Sequence, residues 1–230
     1  MITCTVCGTQ NDALAIVCTS CKSYLQTKVD TLNLFETLWG LMEAPGATFK
    51  RIALARHKNY TTLLSCLLGC SFVYGAIWFR AAGGAFANLA MLVLAGIVIG
   101  PLLGIVVVAL LTLLIRLIGR VAGGKGSFKN VYAVIAYAGS PVVYSLVLVF
   151  PIEIALFGIY LFGNNPPASV INPVAYYALT GLDAIAVLWA VLLFVPGINT
   201  ALGLSKGRGV AVTLVAVLLI GAGVFAVRPV

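Results

Sequence analysis

AAGGAFANLAMLVLAGIVIGPLLGIVVVALLTLLI, residues 81–115, runs without a charged side chain until Arg116. Roughly 20 apolar residues cross a hydrocarbon core about 30 Å thick. The run is therefore one long tilted helix or two short ones. Charge decides between them. As one span, it places Arg116, Arg120, Lys125 and Lys129 on the same side as Lys50, Arg51, Arg56 and Lys58. As a hairpin it would carry that basic loop across the membrane, against the positive-inside tendency.

Working outward, similar runs flank this one. Tyr60–Arg80 reads as the first span and about 86–117 as the second. Pro141–Phe162 reads as the third, Pro173 to about Leu202 as the fourth, and Val210–Val227 (about 209–227) as the fifth. Apolar residues make up 62% of the chain and charged residues 9%, against roughly 25% charged in a soluble domain. The fold class expected is an all-α polytopic membrane protein with five transmembrane helices. Five spans put 12 of the 14 Lys and Arg on one face, leaving Arg80 and Arg228 on the other. The loop 163–172 has no charge, as suits an outer loop. The expected setting is a multi-pass protein of the cell (inner) membrane, N-terminus in the cytosol and C-terminus outside. No cleavable signal peptide is expected, because residues 1–30 lack an apolar h-region.

Ahead of the spans stands Cys4-x2-Cys7, then ten residues, then Cys18-x2-Cys21. Each Cys-x2-Cys pair can aim two thiolates at one metal, and four complete a tetrahedral structural zinc site. Two disulfides, or an iron centre of rubredoxin type, are the alternatives. A closed four-sulfur site has no open position for substrate, so structural Zn2+ is the cofactor expected here. So small a module cannot hold itself together by burial alone. Thiolates also need a reducing compartment, which independently puts the N-terminus in the cytosol. The net charge of +8 could suggest a nucleic-acid partner. The module itself is neutral, with Lys22 and Lys28 against Asp12 and Asp30, so no nucleic acid is expected. The domains expected are a zinc ribbon over 1–26, a linker with interfacial amphipathic helices over 27–59, and the membrane domain over 60–230.

Residues 31–56 read as two amphipathic helices broken near Pro45-Gly46. Leu34, Phe35, Leu38, Trp39 and Met42 recur at helical spacing, and Trp with Lys and Arg suits a helix in the headgroup plane. Between the second and third spans, Val131–Ala138 is too short to cross. It reads as a short helix at the inner interface or dipping into the bundle. Tyr60, Tyr74, Trp78, Tyr160, Tyr176 and Tyr177 lie near span ends and read as interfacial anchors. His57 reads as solvated, and Cys66 and Cys70 as packing residues.

Two acids lie inside spans. Glu153 is nine residues before the outer end of the third, and Asp183 ten after the outer start of the fourth. Both therefore sit roughly 14–15 Å deep, near the midplane. Two carboxylates at one depth cannot both ionise cheaply without a cation. They mark a proton or cation site, or else a pair of protonated, hydrogen-bonded acids. Pro151 loosens the helix nearby. Gly96, Gly100 and Gly104 line one face of the second span, for packing within the bundle or as a homodimer seam. No glycine-rich phosphate loop, nucleophile elbow or His-rich metal motif is present, so no enzymatic activity is expected.

Three features carry a family resemblance: Leu38-Trp39-Gly40-Leu41-Met42-Glu43-Ala44-Pro45 with Phe49-Lys50-Arg51-Ile52; Gly124-Lys125-Gly126-Ser127-Phe128 with Val131-Tyr132 and Ala136-Tyr137-Ala138-Gly139-Ser140-Pro141; and the five-span layout. Over about residues 31–228 the chain resembles the Yip domain family, membrane proteins named for interaction with Ypt/Rab GTPases. The head resembles the short zinc ribbons of prokaryotic membrane proteins. The resemblance implies a helical bundle acting through protein partners or oligomers. The Asp-Leu-Tyr-Gly-Pro signature of the eukaryotic branch is absent, so a Rab-type GTPase is not the expected partner. The function expected is a membrane scaffold or adaptor, binding another membrane protein or a second copy of itself. A small proton- or cation-coupled transporter using Glu153 and Asp183, and an accessory subunit of a respiratory or photosynthetic complex, are the alternatives.

Overall fold

Asn88 starts the helix that organises the bundle: its side chain accepts the Met91 N–H at 2.9 Å. From there α4 runs unbroken over Leu89–Val121, through Pro101. At about 1.5 Å per residue it is longer than the hydrocarbon core is thick, so its last turns, with Arg116 and Arg120, project past the apolar layer. From Leu89 on, the long uncharged run is thus one helix, preceded by a 3-10 turn over Ala82–Ala85. A computed structural model describes residues 1–12, 14–26 and 29–226, without the side chains of 220 and 222–226. Lys28, Val227 and Arg228 lie outside the described residues.

The other elements follow in chain order. A two-stranded antiparallel ribbon pairs β1 (Ile2–Thr3) with β2 (Gln10–Asn11). Helices α1 (Leu34–Glu43) and α2 (Pro45–Leu54) come next, then α3 (Thr61–Phe79) ahead of α4, and α5 (Phe128–Ala138) after it. The chain ends with α6 (Ser140–Phe162), α7 (Pro173–Leu202) and α8 (Lys206–Ala226). Among the described residues four helices are long and apolar enough to cross a membrane: α3, α4, α6 and α7. Helix α8 packs on α7 and α4; the expected fifth span falls on it, with its last residue outside the description.

Helices α3 and α4 pack antiparallel along a seam of small residues. A Cβ on Gly104 would lie 1.9 Å from the Ser65 carbonyl oxygen, and one on Gly100 2.6 Å from Cys70 Cα. Gly96 makes room for the Tyr74 ring, 2.2 Å from where its Cβ would be. Without side chains between them the two backbones touch, which is how helices gain packing where lipid supplies no hydrophobic drive. Tyr74, read from sequence as an interfacial anchor, is instead only 6% exposed. Its hydroxyl donates to the Val93 carbonyl at 2.8 Å and its ring stacks on Phe150 at 4.4 Å. The glycine opposite it, not the membrane surface, explains its place. Tyr60, Trp78, Tyr160 and Tyr177 are exposed.

The centre of the bundle is α5. Val131 and every residue from Ala133 to Ala138 are buried, most of them completely. A helix apolar on every side belongs inside, so α5 dips into the bundle and does not lie on the interface. Ser127 caps it, accepting the Asn130 N–H. The Tyr137 hydroxyl donates to the Asn59 carbonyl at 2.7 Å, tying α5 to the start of α3. The loop before α5 is fixed by Lys125 N–H to Leu202 O at 2.9 Å and Arg116 Nε to Gly126 O at 3.3 Å.

Helix α2 also differs from expectation. Phe49 and Ile52 are fully buried, with the Phe49 ring 3.3 Å from where a Gly197 Cβ would be. It is seated on the bundle because its apolar face matches a notch at Gly197. Helix α1 splits its apolar residues: Leu34 and Leu38 pack against the core, whereas Phe35, Trp39 and Met42 face outward. An Arg51–Glu36 ion pair links the two helices.

Candidate functional site

The β1–β2 ribbon and two tight turns bring the four N-terminal sulfurs together. In each turn the first cysteine's carbonyl accepts an N–H four residues on: Gly8 to Cys4 at 3.0 Å, Lys22 to Cys18 at 3.1 Å. Its own N–H reaches one residue further, Cys4 to Thr9 O at 2.9 Å and Cys18 to Ser23 O at 2.8 Å. Both turns need a left-handed residue after the second cysteine, Gly8 at φ 72° and Lys22 at φ 61°. Glycine adopts this freely; a lysine does so at a cost of about 1 kcal/mol.

The four Sγ atoms lie within 4.8 Å of one another. Cys4 to Cys21 and Cys7 to Cys18 are both 3.6 Å. Four thiolates about 2.3 Å from a tetrahedral ion stand about 3.8 Å apart, so the donors fit one metal ion. All four are free thiols, well beyond the roughly 2.05 Å of a disulfide. Cys4 and Cys18 are buried, Cys7 and Cys21 exposed.

Polar groups stand behind the sulfurs and favour the thiolate form of Cys4 and Cys7, whereas the Cys21 thiol is raised. Ser23 Oγ is 3.2 Å from Cys4 Sγ and 3.0 Å from Cys21 Sγ. Thr9 Oγ1 is 3.3 Å from Cys7 Sγ. Asn11, itself buried, donates to Cys18 Sγ at 3.5 Å while its Oδ1 accepts from Thr19. The Ser23 hydroxyl, then the Cys7 and Val6 amides, bring the Cys4 thiol down to about 6. The Thr9 hydroxyl lowers Cys7 likewise. Such outer groups orient ligands and tune a metal. Sequence reading passed over them, yet a signal was there: Cys7-Gly8-Thr9 and Cys21-Lys22-Ser23 each put a hydroxyl two residues after the second cysteine.

In the membrane region, Ser145 of α6 donates to Asp183 of α7, and the Asp183 and Glu153 carboxyl groups are close enough to interact electrostatically. Glu153 is 5% exposed and Asp183 partly buried. Ser145–Val149 widens into a π turn just before Pro151, whose ring nitrogen has no hydrogen to donate. The structure thus joins the two acids and adds Ser145, which spacing alone hides: it lies eight residues before Glu153. Gly96, Gly100 and Gly104 stand apart, in the α3–α4 seam.

A family model described as the Yip1 domain matches residues 39–227. No curated protein and no solved structure matches the chain.

Proposed function

This chain belongs to the Yip1 domain family, and on that premise we propose that it is a non-enzymatic membrane scaffold or adaptor whose zinc-bound ribbon is a cytosolic docking head. The observation that supports this most is the four-sulfur cluster. Its donors saturate a tetrahedral ion, so the metal folds and stiffens the head and offers substrate no position. On that head Val6 is 72% and Tyr24 79% exposed, apolar side chains of the kind a protein partner covers. Zinc suits four thiolates in a reducing cytosol. Helix α8 completes five spans and puts the C-terminus outside. A membrane-impermeant thiol reagent reads this topology: Asn164→Cys reacts from outside and Ser205→Cys does not. The adaptor reading is tested by purifying the full chain and a chain lacking residues 1–26 from gently solubilised membranes. A partner or second copy retained by the first and lost by the second supports it. A lone monomer in both cases ends it.

A second reading is favoured by the Ser145–Asp183–Glu153 cluster. Two acids this close in a buried site cannot both ionise cheaply, so the pair holds a proton or a small cation that could exchange there. Flux into proteoliposomes, compared with Glu153→Gln and Asp183→Asn, decides: no flux, or flux unchanged by both substitutions, removes this reading.

A further inference from the structure

A cleft of about 470 Å³ opens between the start of α3 and the start of α5. Arg56, His57 and Lys58 enter it from the α2–α3 loop and Lys129 from the first turn of α5; no carboxylate lines it. Among the described residues none of the four forms an ion pair.

The backbone under these side chains is fixed. Arg56 and His57 N–H donate to the carbonyls of Val29 and Asp30 at 2.9 and 3.1 Å, so the strand leaving the metal head holds one wall. Lys58 Nζ donates to the carbonyls of Ile52, Ala53 and Ala55 at 2.7, 3.2 and 3.2 Å, closing the C-terminus of α2. Burial, and then the charge of Lys129, push the Lys58 amine down to about 8. Charges that repel one another in a fixed cleft are stabilised by a shared anion.

Two further features narrow the anion. Thr61, also in the lining, is the first residue of α3, whose first turn no side chain caps, and α5 begins at Phe128 and Lys129. Both helix N-termini add partial positive charge on the same side as the cations. Beside Asn59, the remaining wall is made of the rings of Phe128 and Tyr132, 5.9 Å apart. Apolar rings beside three cations, Arg56, Lys58 and Lys129, suit a molecule with a phosphate at one end and hydrocarbon at the other. The cleft also lies where α3, long and apolar enough to cross a membrane, begins its apolar run, the end at which a spanning helix meets lipid head groups.

We propose that this cleft binds a phosphate ester presented by an anionic phospholipid of the leaflet on the ribbon's side. Its volume falls within the roughly 300–1,000 Å³ of small-molecule sites, and basic pockets at a bundle's edge are suited to such head groups. The inference goes beyond the adaptor reading and does not depend on it.

Native mass spectrometry of the detergent-purified full chain tests it with phosphatidylglycerol, phosphatidylcholine and glycerol 3-phosphate as probes. The comparison is Arg56→Gln with Lys129→Gln, exposed side chains that cap and bridge nothing among the described residues. Wild type should retain phosphatidylglycerol over phosphatidylcholine, and the double variant should lose about tenfold or more of that retention. Its lipid-free thermal midpoint should be unchanged; Lys129→Glu alone, expected to lose more than half the retention, repeats the test if the midpoint falls. Equal retention of the two lipids, or full retention by a folded variant, overturns the proposal. Glycerol 3-phosphate binding as tightly as the lipid overturns the lipid source and assigns the cleft to a soluble phosphate ester.

Discussion

A Cβ placed on Gly69 of α3 would lie 1.9 Å from the carbonyl oxygen of Gly100 on α4. The two backbones are in contact there, and no rotamer of any larger residue relieves it. Gly69→Ile should therefore force the helices apart and destabilise the bundle by about 3 kcal/mol, the upper end for overpacking. Gly75→Ile on the same helix, where a Cβ meets nothing within 4 Å, should be nearly neutral. The thermal midpoints of both variants in one detergent check this. Equal midpoints would remove the seam from the account.

The metal centre predicts one bound ion per chain, lost in Cys4→Ser with Cys18→Ser, the two buried ligands. Elemental analysis of purified protein counts the ion and identifies it. Removing it with a chelator should expose residues 1–26 to protease while leaving α3 to α7 intact, because their core does not depend on the head. Ser23→Ala, which removes a hydroxyl shared by two sulfurs, should weaken metal retention by about 10-fold or more, as loss of an outer-shell partner does.

Lys58 gives the chain a pH dependence with a definite sign. Its amine is pushed down to about 8, chiefly by burial, against about 10.4 in the unfolded chain. Between those values the unfolded state binds more protons, so the native state gains stability as pH rises from about 8 to about 10. Lys58→Met lacks this gain. The difference in thermal midpoint between wild type and variant should shift toward wild type from pH 7 to pH 9.5. A difference that is flat, or that moves the other way, contradicts the burial argument.

Ser145 is the donor that orients Asp183. Ser145→Ala should cost about 1 kcal/mol of stability, the worth of one buried hydrogen bond, measured by thermal unfolding in detergent. Combining it with Asp183→Leu should cost less than the two separate losses added, because both remove the same bond.

Much of this architecture was legible because two physical signals are local. The uncharged run 81–115 and the Lys/Arg placed after it specify one long helix, and α4 is one helix. Spacing of the four cysteines specifies their convergence, since each turn is built within five residues. Contacts across elements were less visible. Tyr74 looks like an anchor until Gly96 is known to stand opposite it. Phe49 and Ile52 belong to a helix that reads as lying in the headgroup plane until the notch at Gly197 is seen. Ser145 lies in a π turn that hydrophobic periodicity does not encode, and its bond to Asp183 crosses from one helix to another. The basic cleft joins residues more than seventy positions apart, Lys58 and Lys129, and only the buried position of α5 brings them together.

Docking of a protein partner by the metal-bound head is what we propose for this chain. Photo-cross-linking in native membranes tests it most directly, with a photoreactive residue replacing Tyr24 on the head and, as the control, Leu188 on α7. The account predicts a discrete protein adduct, or a dimer of this chain, from position 24 that disappears in Cys4→Ser with Cys18→Ser. No adduct from position 24 beyond lipid, or one indifferent to loss of the metal ligands, would contradict it.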